Sequence, residues 1–172
     1  MHDEFAVDES GMTSDGYRRL LPVCKKAMYV RNIIVIAILA AMEGAGLYLV
    51  KTYQADTFDI TATCAIAVLT IIIIYLLVSP QVFYRRYRYR IDDEKAEIRR
   101  GVITITHSLV PIERIHQVQV SKGPINRMFG LANVNITTAG GVSTLEYLDI
   151  ETAESIASKL NECVVKMLKA RD

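Results

Sequence analysis

Two long apolar runs, residues 33–50 and 60–78, constrain this chain more than any other feature. The only charge in the first is Glu43, and the second is interrupted only by Thr61, Thr63, Thr70 and Tyr75. At 1.5 Å of rise per residue, each run is just long enough to cross a hydrocarbon core about 30 Å thick. Core helices of soluble proteins seldom sustain such length. Two in succession, joined by the short polar link 51–59, predict a transmembrane helical hairpin with spans at 33–50 and 60–79. The eleven Ile, Leu and Val residues of the second run, at about −0.5 kcal/mol each, insert it unaided. The nine in the first supply about −4 to −5 kcal/mol, against which a charged central carboxylate costs roughly 3 kcal/mol. The first span therefore inserts more safely beside the second.

Glu43 has two readings. In one it contacts a cation, a proton or a partner subunit, because intramembrane carboxylates are rare and face protein interiors. In the other it is protonated, or hydrogen-bonded to a threonine of the second helix. Ala40 and Gly44, four residues apart, would let another helix approach closely, so Ala40, Glu43 and Gly44 are the candidate residues for helix pairing in the membrane.

The charges are nearly balanced, 20 Lys and Arg against 19 Asp and Glu, yet they are segregated along the chain. Residues 1–17 carry Asp3, Glu4, Asp8, Glu9 and Asp15 and read as a disordered acidic tail with no signal-peptide pattern. A basic juxtamembrane segment, 18–32, follows with Arg18, Arg19, Lys25, Lys26 and Arg31. Arg85, Arg86, Arg88 and Arg90 follow the second span, whereas the link has only Lys51. By the positive-inside rule both ends are cytoplasmic and the link is external. Cys24, Cys64 and Cys163 are spaced like neither a disulfide framework nor a metal site and are expected as free thiols.

Beyond the second span the pattern changes to alternation. Residues 84–91 set Arg86, Arg88 and Arg90 against Tyr87, Tyr89 and Ile91, as in a half-buried strand. Further strands are expected at 95–100, at 102–110 until Pro111 interrupts, at 114–121, and at 133–138 and 143–148 around Gly140 and Gly141. In 102–110, Ile103, Ile105, His107 and Leu109 share one face. Asp149 is placed to cap a final helix with an apolar stripe of Ala153, Ile156, Ala157, Leu160, Val164, Met167 and Leu168. The cytoplasmic domain, 82–170, is thus α+β: about six short antiparallel strands in a bent sheet covered by one helix.

The ordered blocks Tyr-Arg-Tyr-Arg-Ile (87–91), Ile-Arg-Arg-Gly (98–101), Val-Pro-Ile-Glu-Arg-Ile-His (110–116), Gly-Pro-Ile-Asn-Arg-Met-Phe-Gly-Leu-Ala (123–132) and Thr-Ala-Gly (138–140) follow two membrane helices. Together they resemble the bacterial pleckstrin-homology (PH) family of YdbS-like membrane proteins over roughly residues 20–168. The resemblance implies a PH-like split β-barrel of six or seven antiparallel strands capped by a C-terminal helix. It also implies a membrane-bound binding or scaffolding role without catalysis.

The candidate residues for anionic headgroup contact are Lys25, Lys26, Arg31, Arg85, Arg86, Arg88 and Arg90, at about 1 kcal/mol per positive residue near the surface; in the competing reading they only fix topology. Lys95, Arg99 and Arg100 lie where eukaryotic PH domains often hold phosphoinositides, but Asp92, Asp93, Glu94 and Glu97 surround them, so no such pocket is expected. Arg114 and Arg127 either line a partner groove or, for Arg127, brace the following turn, with Met128, Phe129 and Leu131 as core plugs and Gly130 where a side chain would clash. His107, Glu113 and His116 lack zinc-like spacing. No nucleophile elbow, phosphate loop or catalytic carboxylate pair is present, so no catalytic residue, cofactor, metal or small-molecule substrate is expected. The Arg-Tyr alternation beside a bilayer is a poor place for nucleic acid. The expected role is a non-enzymatic PH-like scaffold on the bacterial inner membrane that binds a protein partner or itself. An anionic-lipid sensor and an auxiliary subunit of a transporter or membrane enzyme are the alternatives.

Overall fold

The computed structural model describes residues 16–53 and 58–169, with side chains through residue 166. The acidic tail up to Asp15, and Met167 and Leu168 of the expected stripe, lie outside these described residues and side chains. The chain forms two compact units, one being Met28–Gln81 and the other the chain up to Ala27 together with everything from Val82 onward.

The membrane unit consists of α1 (Val23–Tyr53) and α2 (Phe58–Arg86), which leave it at their outer ends. Both are long and apolar enough to cross a bilayer. Each shows one half-buried stripe at helical spacing: Ile36, Leu39, Glu43, Leu47 and Val50 on α1, and Ala62, Ala65, Leu69, Ile72, Ile73 and Leu76 on α2. Within 33–50 and 60–78 the remaining apolar side chains are exposed, as lipid-facing residues must be. Asn32, only 2% exposed, donates from Nδ2 to the Leu76 carbonyl at 2.6 Å, with Ser79 Oγ at 3.5 Å. That bond ties the two helices across the apolar seam.

The other unit contains β1 (Arg88–Ile91), β2 (Lys95–Arg100), β3 (Thr106–Pro111), a 3-10 turn (Ile112–Arg114), β4 (Ile115–Ser121), α3 (Pro124–Met128), β5 (Leu131–Thr138), β6 (Gly141–Asp149) and α4 (Ile150–Lys169). The strands make two antiparallel three-stranded sheets, β1-β2-β3 and β4-β5-β6, that do not close on each other. With α4 packed on β4, β5, β6 and the 3-10 turn, this is the expected PH-like arrangement. Tyr87, Ile98, Ile112, Leu131, Val134, Ile136, Leu145 and Leu160 fill the space between the layers and are essentially inaccessible. Asp149 caps α4 as expected, its Oδ2 accepting from the Thr152 amide at 2.8 Å.

Several boundaries differ from the sequence expectation for physical reasons. The strand expected at 84–91 is only Arg88–Ile91, because α2 continues to Arg86 and the Tyr87 amide still bonds the Phe83 carbonyl at 2.8 Å. The strand expected at 102–110 begins at Thr106. Before it, Gly101 at φ +145 makes a tight bend in which a Cβ would meet the Thr104 carbonyl oxygen at 1.9 Å. The 122–130 break contains α3, with Pro124 opening its first turn. Met128 is 78% exposed and is not a core plug, while Leu131 is buried. Gly130 has open space around its α-carbon; its requirement is the left-handed φ of +67, not a clash. In β6, two residues face Asn133 of β5 between the Ala132–Leu148 and Val134–Leu145 pairs. Asn133 Oδ1 accepts from the Tyr147 amide at 3.0 Å and holds Tyr147 at φ 58 in this bulge.

Candidate functional site

Both sheets have an outer strand with one neighbour: β3 beside β2, and β4 beside β5. Among the described residues neither outer edge is paired with another strand. The 3-10 turn joins the two strands at a corner, and the β5–β6 turn faces it. Between them is an open groove of about 780 Å³ lined by Ser108–Pro111, Glu113, Arg114, His116 and residues 138–143. Arg114, His116, Leu109 and Val142 are exposed on its walls. The groove therefore offers unpaired strand edges, an apolar foothold and one fixed positive charge. Arg127 is not part of it; it lies exposed on α3, and its side chain makes no hydrogen bond among the described residues. Of the rejected metal trio, Glu113 and His116 border the groove while His107 faces elsewhere, and no metal-ligating cluster exists among the described residues.

The outer face of the first sheet carries Arg88, Arg90, Lys95, Glu97, Arg99 and His107, all placed there by strand register. Arg100 points the other way and joins the second sheet, with Nη1 2.6 Å from Glu146 Oε1, while the Glu146 amide donates to Tyr87 Oη at 2.9 Å. Glu97 is the hub of the outer face and is 5% exposed. It accepts from Lys95 Nζ at 2.6 Å and from the Tyr17 hydroxyl, and His107 Nε2 lies at 3.2 Å. The Lys95 bond, followed by the Tyr17 bond, outweighs burial and pulls the Glu97 carboxyl from 4.5 down to about 2. Burial, with the bond to Glu97 next, raises the Tyr17 phenol above its ordinary range.

No local pattern singles out Tyr17, yet it is buried and the Arg99 guanidinium lies 4.5 Å above its ring. Arg18 pairs with Tyr89 through two backbone hydrogen bonds of 2.8 and 3.0 Å, so the segment before α1 lines the edge of β1. The signal available was the Tyr-Arg-Arg-Leu-Leu string after the acidic run. Asn32 likewise carries only a weak sequence signal, that of a lone amide at the end of an apolar span.

The seven candidate headgroup residues separate into two groups. Arg86 donates from Nη1 to the Val102 carbonyl at 2.7 Å, buried Arg88 donates to the Tyr87 carbonyl at 2.7 Å, and Arg90 bridges Asp92 at 2.9 Å. The Lys25 ammonium lies 4.3 Å from the Tyr84 ring centroid, with Arg19 also over that ring. Lys26, Arg31 and Arg85 are exposed, and Arg31 Nε is 3.4 Å from Asn32 Oδ1.

In the membrane unit, Glu43 lies on the half-buried stripe of α1, whereas Ala40 and Gly44 are exposed and nothing lies within 4 Å of the Gly44 position. Within the hairpin, therefore, α2 packs on Glu43 and leaves Ala40 and Gly44, on the adjoining part of the same helix face, uncovered. Glu43 Oε1 is inaccessible and has no hydrogen-bond partner among the described residues. Thr63 and Thr70 of α2 instead donate to carbonyls of their own helix. All three cysteines are free thiols.

A family model, bacterial PH domain, matches residues 28–163. The chain belongs to the bacterial PH domain family. It is 28% identical over 89 residues to the transmembrane protein YdbS of Bacillus subtilis, covering 52% of this chain and 56% of YdbS. It is 29% identical over 98 residues to the transmembrane protein YdbT of the same organism, covering 57% of this chain and 20% of YdbT. The chain thus matches little more than half of one relative and a fifth of the other. No solved structure matches it. The two apolar helices and these relatives make it a membrane protein carrying a bacterial PH domain.

Proposed function

We propose that this chain is a non-enzymatic binding module of the bacterial inner membrane whose PH-like domain, on the cytoplasmic side, takes an extended segment of a protein partner. The observation that carries this reading is the groove beside Arg114, where two unpaired strand edges meet. An added strand would satisfy the backbone groups of β3 or β4, and side-chain pockets would give selectivity. Arg114 supplies a fixed donor for a carboxylate or carbonyl of the partner. The distribution of positive residues around the spans supports the cytoplasmic placement. Engagement of Arg86, Arg88 and Arg90 within the protein favours a protein partner over a headgroup-reading role for that cluster.

The test is photo-cross-linking in native membranes with a benzophenone residue at Val142, in the groove, and at Met128, outside it. A discrete protein adduct from position 142 alone, lost with Arg114→Glu, is expected. Lipid adducts only, or equal protein adducts from both positions, would overturn the reading.

A further inference from the structure

The β2–β3 loop, residues 101–105, carries Ile103 at 82% exposure and Ile105 at 50%. It is not a slack connection. Gly101 bends it so tightly that its α-carbon lies against the Thr104 carbonyl, and Arg86 clamps it through the Val102 carbonyl. Isoleucine at the tip of a built loop costs apolar exposure that one polar substitution would remove.

The clamp ties the loop to the end of α2. Arg86 ends α2, and the apolar run of that helix stops at Val78. The eight helical steps from Val78 to Arg86 span about 12 Å, less along the membrane normal when the helix tilts. The headgroup layer is about 5–8 Å deep on each side, and an arginine side chain reaches several ångströms further. The length of chain between the apolar run and Arg86 therefore leaves the loop within reach of the bilayer surface. The root of α1 shows the same composition independently, since Leu21 just before that helix and Val23 at its first position are also exposed.

We propose that the β2–β3 loop is a lipid-contact wedge: Ile103, with Ile105 behind it, enters the headgroup–acyl boundary of the membrane that α1 and α2 cross. The contact is apolar and is separate from the groove and from any headgroup charge. Two helices and a wedge give the domain a third point of attachment and restrict its rotation about the membrane normal.

The experiment uses the full chain in vesicles of phosphatidylcholine and phosphatidylglycerol, with Cys64 and Cys163 replaced by serine and buried Cys24 retained. An environment-sensitive dye is attached at Ile103→Cys, with Met128→Cys as the water-exposed reference. Strong quenching by bromine-labelled lipid and protection from iodide at position 103, with the reverse at 128, is the expected result. It should persist in phosphatidylcholine alone, and Arg86→Ala should weaken it. Iodide access at 103 equal to that at 128, with no lipid quenching, would overturn the proposal. So would lipid quenching that vanishes without the anionic lipid. A dye at Thr104→Cys reads the same loop if the first variant assembles poorly.

Discussion

Replacing Glu97 with glutamine keeps the side-chain shape and removes the charge at the hub of the outer sheet face. The fall of its carboxyl from 4.5 to about 2 corresponds to about 3 kcal/mol of preference for the ionised form in the folded protein. Lys95 is about half exposed, so solvent screening reduces its share, and about 2 kcal/mol is the expected loss at neutral pH. Hydrogen bonds to charged groups, at about 1.5–3 kcal/mol each before the cost of burying the carboxylate, give a loss of the same order. For a domain of this size that is a drop of about 10 °C in Tm. The sign fixes the pH dependence. A carboxyl depressed on folding contributes its full stabilisation above about 4.5 and loses it as pH falls toward 2. The difference between wild type and Glu97→Gln should therefore be constant near neutrality and shrink through that acid window. Urea unfolding of the full chain in detergent, followed by near-ultraviolet circular dichroism of the buried tyrosines, measures both quantities. Equal stabilities at pH 7, or a difference that stays undiminished at pH 2, would refute the reasoning.

Four further substitutions test separate parts of the architecture. Tyr17→Phe removes one donor to Glu97 and should cost about 1 kcal/mol in the same assay, with the smaller loss reflecting the donors that remain. Gly101→Ala drives a methyl group into the Thr104 carbonyl and should cost more than about 2 kcal/mol; Gly130→Ala, strained by its φ but unobstructed, should cost only about 1 kcal/mol. Asn32→Leu breaks the bond to the Leu76 carbonyl and should weaken the helical hairpin by about 1 kcal/mol in a detergent titration that follows helix separation.

Elements with a strong period were legible in the sequence. The two spans, the alternation at 88–91 that sets Tyr89 and Ile91 opposite Arg88 and Arg90, the Asp149 cap and the α4 stripe through Leu160 all follow from local spacing. Where the sequence misleads, distant residues decide. Tyr84–Arg86 alternate like a strand, but the helix hydrogen bonds of α2 carry through them. Ile103, Ile105 and Leu109 look like a core face, yet β3 turns its other side inward, where Val110 is buried. Of the candidate site residues, Arg114 reaches the groove through a 3-10 turn that no periodicity announces. Tyr17 and Glu97 are 80 residues apart, and only the closed fold brings them together.

The pairing of Arg18 with Tyr89 has a consequence for biogenesis. Both membrane spans lie between these two residues in the chain, so their backbones can meet only if the chain crosses the bilayer an even number of times. A nascent chain that inserts one span and leaves the other behind strands Tyr17 and Glu97 in different compartments, and the domain cannot be completed. Folding of the PH-like unit thus reads out correct insertion. A fragment begun after α2 would lack a piece of its own first sheet.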